Sequence, residues 1–125
     1  MNIRNAIAKY AEALKALEPD AGITNLPAMP ASAEALTVLA LTAAGADTLL
    51  WVHSSAEALE RAHGDLTALR EKASPRIAYF PPWERLPGHD TTEDPEIAGY
   101  RIRTLRQLLD RRDSIPLVAV TSIQA

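Results

Sequence analysis

Four carboxylates crowd one stretch of the chain: Asp90, Glu93, Asp94 and Glu96. Acid–base chemistry or a magnesium site is the first chemistry such a cluster suggests. A plainer account covers the same residues. Asp94 followed by Pro95 has the form of a helix N-cap and first helical residue, and Glu96 then complements the helix dipole. The three histidines, His53, His63 and His89, are scattered, and only His89 with Asp90 forms a close pair. A zinc site would need ligands converging from three separate places with no motif to support it. There is no cysteine, so thiolate metal sites, disulfides and cysteine nucleophiles are excluded. Arg101, Arg103, Arg106, Arg111 and Arg112 could line a nucleic-acid backbone. Set against this, 13 Lys and Arg face 16 Asp and Glu for a net charge of −3, where a free-standing nucleic-acid binder is usually basic.

The turn at residues 26–32 reads Leu-Pro-Ala-Met-Pro-Ala-Ser, between an expected strand and an expected helix. In an open parallel sheet this is where ligands bind. A phosphate-binding loop needs glycines so that backbone N–H groups converge, a lysine for the terminal phosphates and a hydroxyl for magnesium. Here glycine and lysine are missing, and Pro27 and Pro30 each remove a donor. Ser32, as the expected N-cap, is the one remaining anion-binding element. The position is that of a phosphate loop without its chemistry, and no cofactor is expected.

The elements that must carry these residues follow from periodicity. Ile3, Ile7, Tyr10, Leu14 and Leu17 mark one face of a helix ending near Glu18, before Pro19. Residues 21–26 are expected as a first strand. A second helix starts at Ser32, runs through Leu36, Leu39, Ala40 and Ala43, and ends at Gly45 in the left-handed position. Its nearly apolar composition implies burial on more than one side. Residues 48–52 form a continuous apolar run, the pattern of a parallel strand covered on both faces. Ser54 and Glu57 are read as the capping box of a third helix, with Leu59, Ala62, Leu66 and Leu69 as its buried face. A strand at 77–80 follows, then an irregular stretch at 81–94. The fourth helix carries Ala98, Ile102, Leu105 and Leu109 on one face and Arg111 and Arg112 in its last turn. A last strand spans 115–121. Strand and helix alternate, so the expected fold class is α/β: three layers, a four-stranded mostly parallel sheet with helices on both faces, a single subdomain over 1–125. Leu50, Val52, Val118 and Val120 are its expected core. A chain of 125 residues can bury about two-thirds of its unfolded surface, and 47% hydrophobic content argues against disorder. Neither a leader nor a membrane-length apolar run is visible, so a cytoplasmic location is expected. The apolar run from Ile115 to Ile123 stops at Ala125 without a cap, which reads as a piece of a longer protein.

The segment Pro81-Pro82-Trp83-Glu84-Arg85-Leu86-Pro87 sets a large ring in a rigid proline frame. Trp83 is expected to be mostly buried as an anchor for the loop, or to face another domain. This segment, with Tyr79-Phe80 before it, Asp94-Pro95-Glu96-Ile97 and Arg101 to Leu105 after it, and the ending from Val118 to Ala125, closely resembles the N-terminal module of the bacterial transcription-repair coupling factor, Mfd. That family has a W-E-x-L-P signature after the third strand, then a Ser-Pro, Glu-Ile, Arg, Leu helix. The module is similar in turn to UvrB, the damage-recognition subunit of the excision nuclease. The match is close over 79–125 and only topological before it. Asp94 stands in place of the usual serine, and Gly88-His89 replaces a tyrosine-containing stretch.

The resemblance implies a nucleotide-binding fold that has lost its ATP site: a degenerate phosphate-loop subdomain whose strand order, by analogy, is 3-2-4-1. It implies a non-catalytic scaffold in a transcription-coupled repair factor that displaces stalled RNA polymerase and recruits nucleotide excision repair. The signature residues Pro82, Trp83, Glu84, Leu86, Pro87, Pro95, Glu96 and Arg101 would then be structural or interfacial. The partners implied are other domains of the same protein, and UvrA, RNA polymerase and DNA through regions outside this chain; a membrane is not among them. Two other readings remain open at this point: a helicase-like nucleotide-binding half-domain, and a free-standing interaction module.

Overall fold

A computed structural model of the chain describes residues 2–16, 24–70, 74–83, 94–111 and 113–124. These form four helices and three strands in the order α1 (Ile3–Ala16), α2 (Ala31–Ala43), β1 (Thr48–His53), α3 (Ala56–Leu69), β2 (Arg76–Phe80), α4 (Pro95–Leu109) and β3 (Leu117–Ser122). All strand pairs are parallel, and the sheet runs β1-β3-β2. The α/β class and parallel pairing follow the sequence pattern, and Thr48 lies opposite Leu117 in register.

Two expectations about the sheet need correction. Of the strand expected at 21–26, residues 21–23 lie outside the described residues, and 24–26 are not in a strand. The order 3-2-4-1 would set the strands at 48–53 and 76–80 side by side, but β3 lies between them. β3 suits the centre because both its faces are apolar. Val118 and Val120 point to one side and Leu117 and Ala119 to the other, and all four are buried.

The main core lies on one face of this sheet. Val118 and Val120 pack with Ala35, Val38 and Leu39 of α2 and Leu59, Ala62 and Leu66 of α3, and Leu49, Trp51, Ile77 and Tyr79 close the edges. α1 lies on the far side of α2 through Ala11, Leu14 and Ala40. This explains why α2 is apolar nearly all round: it is covered by α1 on one side and the sheet on the other. The opposite sheet face is partly open. Its central residues Ala78, Leu117 and Ala119 are buried, but Leu50 is 67% exposed and Val52 46%. Both were expected in the core. Among the described residues β1 is an edge strand, and none of the described helices covers the outer face on which Leu50 and Val52 lie.

The helix ends show how local chemistry sets the boundaries. Gly45, at φ +115°, ends α2 as expected. The Gly45 N–H bonds to Thr42 O at 3.2 Å and the Ala46 N–H to Leu41 O at 3.0 Å, the two bonds of a Schellman motif. At the other end of α2 the N-cap is Pro30, which offers no side-chain cap, so Ser32 lies inside the first turn. The cap of α3 is Ser55, whose Oγ accepts from Ala58 N at 3.2 Å; Ser54 lies one residue too early. α4 starts as expected: Asp94 Oδ1 accepts from Glu96 N at 2.9 Å, with Pro95 in the first turn. It ends at Leu109, so Arg111 falls beyond it. Arg111 instead ties together the amino ends of β1 and β3. It donates to Asp47 O at 3.0 Å, Asp47 Oδ1 at 2.9 Å and Ile115 O at 3.3 Å, and it also meets Thr48 Oγ1.

Candidate functional site

The strands end together at His53, Phe80 and Ser122, and two constellations form at this carboxyl edge. The first surrounds Arg101. Its guanidinium lies 4.0 Å from the centroid of Phe80 and 4.4 Å from that of Trp83. Nη1 also donates to Pro81 O at 2.7 Å. Arg101 sits two turns into α4, and the Asp94–Pro95 start sets that register. Three residues on, Thr104 is buried and its Oγ1 donates to Tyr79 O at 2.7 Å. Tyr79 and Pro81 alternate with Phe80, so their carbonyls project from the edge of β2 away from β3, where no described strand pairs with it. Arg101 and Thr104 satisfy those carbonyls with side chains in place of a neighbouring strand. Tyr100 completes the seat, edge-on to Tyr79 at 5.5 Å.

Trp83 is 41% exposed, not mostly buried as expected. Arg101 covers its ring, and a cation is held over a π face without removing the ring from water. Of the other signature residues, Pro82 is half-buried, Pro95 and Glu96 lie in the exposed first turn of α4, and Glu84, Leu86 and Pro87 lie outside the described residues. The carboxylates Asp90 and Glu93 and the histidine His89 are likewise outside them.

The second constellation is a cavity of ≈ 510 Å³ at the end of β1, between the starts of α2 and α3. Ala31, Glu34, Trp51, His53, Ser54 and Arg61 are among its walls. Burial pushes the His53 imidazole below its ordinary pKa, and the nearby Glu34 carboxylate opposes this in part. His53 Nε2 and Ser122 Oγ are both buried without a hydrogen-bond partner, and the two residues are opposite one another in the β1–β3 register. Arg61 approaches Glu57 only at 3.9 Å. A cation, an anion and a neutral imidazole therefore share the space, a mixed set that does not select a phosphate. Pro27 lines a separate apolar groove of ≈ 450 Å³ along β1, with Leu26, Met29, Val38, Leu49 and Trp51. The turn at 26–32 is thus divided between two cavities, and its prolines leave neither with a ring of backbone donors. Among the described residues no cluster of three or more His, Asp or Glu could hold a metal ion.

Sequence reasoning found Trp83 through its proline frame and Arg101 as one of a series of arginines, and the family motif named both, but nothing in the sequence paired them. It missed Phe80 and Thr104, whose parts depend on the β2 edge being free. It also missed Glu34, Trp51 and Arg61, which come together only through the packing of α2 and α3 on β1. No family model matches the chain, nor does any curated protein or solved structure. No described helix is long and apolar enough to cross a membrane.

Proposed function

We propose that the chain is a non-catalytic α/β scaffold subdomain of a transcription-repair coupling factor. Its task in such a protein is to carry and orient partner-binding domains and to pack against the translocase motor, with DNA, RNA polymerase and UvrA engaged elsewhere. The observation that carries this reading is the Arg101 clamp. Trp83 and Arg101, singled out by the W-E-x-L-P signature and by the arginine of the helix that follows it, meet across 18 positions of sequence and fix α4 to the β2 edge. A motif whose members hold two elements together describes a scaffold. The turn at Pro27, Pro30 and Ser32 agrees with it, since its prolines withhold the backbone donors that a phosphate needs.

The test is a chimera. A coupling factor whose own N-terminal segment is exchanged for residues 1–125 should still displace stalled polymerase and recruit the repair machinery. A chimera that folds but fails both functions counts against the assignment. The cavity beside His53 favours one rival, a nucleotide-binding half-domain, and titration with magnesium ATP separates the two.

A further inference from the structure

The two outer edges of the described sheet are finished differently. On β2, Arg101 and Thr104 donate to Pro81 O and Tyr79 O, so side chains stand where a neighbouring strand would pair. Among the described residues β1 has no such cover. The carbonyls of Asp47, just before it, and of His53 accept from Leu117 N at 3.0 Å and Ile123 N at 2.9 Å. The odd-numbered residues therefore turn their main-chain groups toward β3, and the N–H and C=O of Leu50 and Val52 point away from it. No described main-chain group outside the sheet ladder bonds to them. The side chains give this edge no protection either. Thr48-Leu49-Leu50-Trp51-Val52-His53 holds no lysine, carboxylate or proline, the residues that keep an open edge from pairing. Its unbroken apolar run is that of an interior strand. Beside it lies the groove of ≈ 450 Å³, walled by Leu26, Met29, Val38, Leu49 and Trp51, with Glu34 its one ionisable side chain.

We propose that β1 is an interior strand of a larger sheet, whose outer edge receives a further strand from a part of the same polypeptide outside residues 1–125. A row of unpaired main-chain donors and acceptors selects an extended segment over a helix, whose own groups are already paired. Every second side chain of that segment falls toward the groove and is apolar. The others lie beside Leu50 and Val52 on the open face, where these are 67% and 46% exposed. Area selects the source. Six residues of β1 offer an edge about 20 Å long and about 10 Å wide, a footprint of about 200 Å². A stable complex of separate proteins, or of two copies of one chain, buries about 800 Å² on each partner. A segment joined by the chain itself needs no such area, because linkage supplies an effective concentration in the millimolar range. The inference rests on the scaffold reading in one respect only: both take the chain to be part of a longer protein.

Hydrogen exchange tests it. In the chain of 125 residues, the Leu50 and Val52 N–H groups should exchange far faster than those of Leu49 and Trp51, which face β3. In the longer protein all four should be protected. The probe is a synthetic peptide, Lys-Val-Thr-Ile-Thr-Val-Lys, added at a concentration about ten times its dissociation constant, which should slow Leu50 and Val52 about tenfold. Methylating the nitrogens of one alternate set of its residues should abolish the effect, and methylating the other set should not, since only one set faces β1. Four results overturn the proposal: Leu50 and Val52 protected in the 125-residue chain alone, the same amides unprotected in the longer protein, equal effects of the two methylation patterns, or a reading frame confined to residues 1–125. Protection that appears only as the concentration of the 125-residue chain rises overturns it in favour of a second copy. The scaffold reading fails separately: a chimera that folds but loses both functions counts against it, while protection of these amides in the longer protein leaves the added strand standing.

Discussion

At the scale of single residues, Arg101 makes two ring contacts and one charge-assisted hydrogen bond, whereas Trp83 stays 41% exposed. The energies should divide accordingly. Trp83→Ala should cost about 1 kcal/mol, well below the ~3 kcal/mol or more of emptying a buried aromatic site. Arg101→Met removes the donor to Pro81 O as well and should cost about 1–3 kcal/mol. A double-mutant cycle by urea denaturation should give a coupling of about 0.5–1 kcal/mol between the two side chains. Strict additivity would show that the stacking contributes nothing. His53 and His63 allow a second prediction, about pH. Burial lowers both imidazoles; Glu34 opposes this at His53, and Arg70 adds to it at His63. In the unfolded chain both titrate near ~6.5. Below that pH the unfolded state takes up protons that the folded state resists, so the contribution is fully present above about 6.5 and is lost as pH falls toward the folded values. Urea midpoints should therefore drop between about pH 6.5 and pH 5, before most carboxylates titrate, and His53→Phe with His63→Phe should flatten the slope. A midpoint already constant across that window in the unaltered chain would contradict the assignment.

At the scale of elements, the free edges of the sheet decide what can be tested. Thr104 gives its hydroxyl hydrogen to Tyr79 O on the outer edge of β2. Thr104→Val keeps the shape and removes the donor, so it should cost about 1–3 kcal/mol by leaving a carbonyl unsatisfied in a buried seat. A chemical-denaturation midpoint unmoved by that change would mean that water replaces the hydroxyl there. Val120→Asp, at the centre of β3, should abolish cooperative folding, because an unpaired charge would be buried among Val38, Leu59 and Leu66. Circular dichroism and a thermal melt check it. The same edges mark how far the sequence could be read. Helix positions were legible from periodicity, and Gly45 and Asp94 were legible because their roles depend on neighbours within a few residues. Ser32 and Ser54 failed by small shifts, since several adjacent residues there can serve as the first non-helical position. The expected burial of Leu50 and Val52 failed for a different reason. An apolar stripe shows that a face exists, and what covers it depends on chain segments far away. Strand order failed likewise: it is decided by non-local pairing, and only the two-sided burial of β3 hinted at a central place.

At the scale of the whole molecule, the arrangement of charge at the carboxyl end of the sheet bears on whether the chain is an enzyme. A site for magnesium triphosphate must replace the hydration of several negative charges with fixed donors and a cation. The starts of α2 and α3 both border the cavity, and each supplies about half a unit of positive charge. Glu34 already occupies the first turn of α2 and Glu57 that of α3, so a carboxylate stands at each place where a phosphate would have to approach. Pro27 and Pro30 contribute no N–H, and no lysine lies between Ala21 and Ala35. On the far wall of the cavity Arg61 is a single cation, and Glu57 lies beside it. The balance is close to neutral where a triphosphate needs it strongly positive. Calorimetric titration with magnesium ATP should therefore give no saturable heat up to millimolar nucleotide. Removing the carboxylate with Glu34→Gln should not create a site, because the missing backbone donors would remain missing. A micromolar dissociation constant for the unaltered chain, weakened by Arg61→Ala, would make the cavity beside His53 a nucleotide site and replace the scaffold reading with that of a nucleotide-binding half-domain.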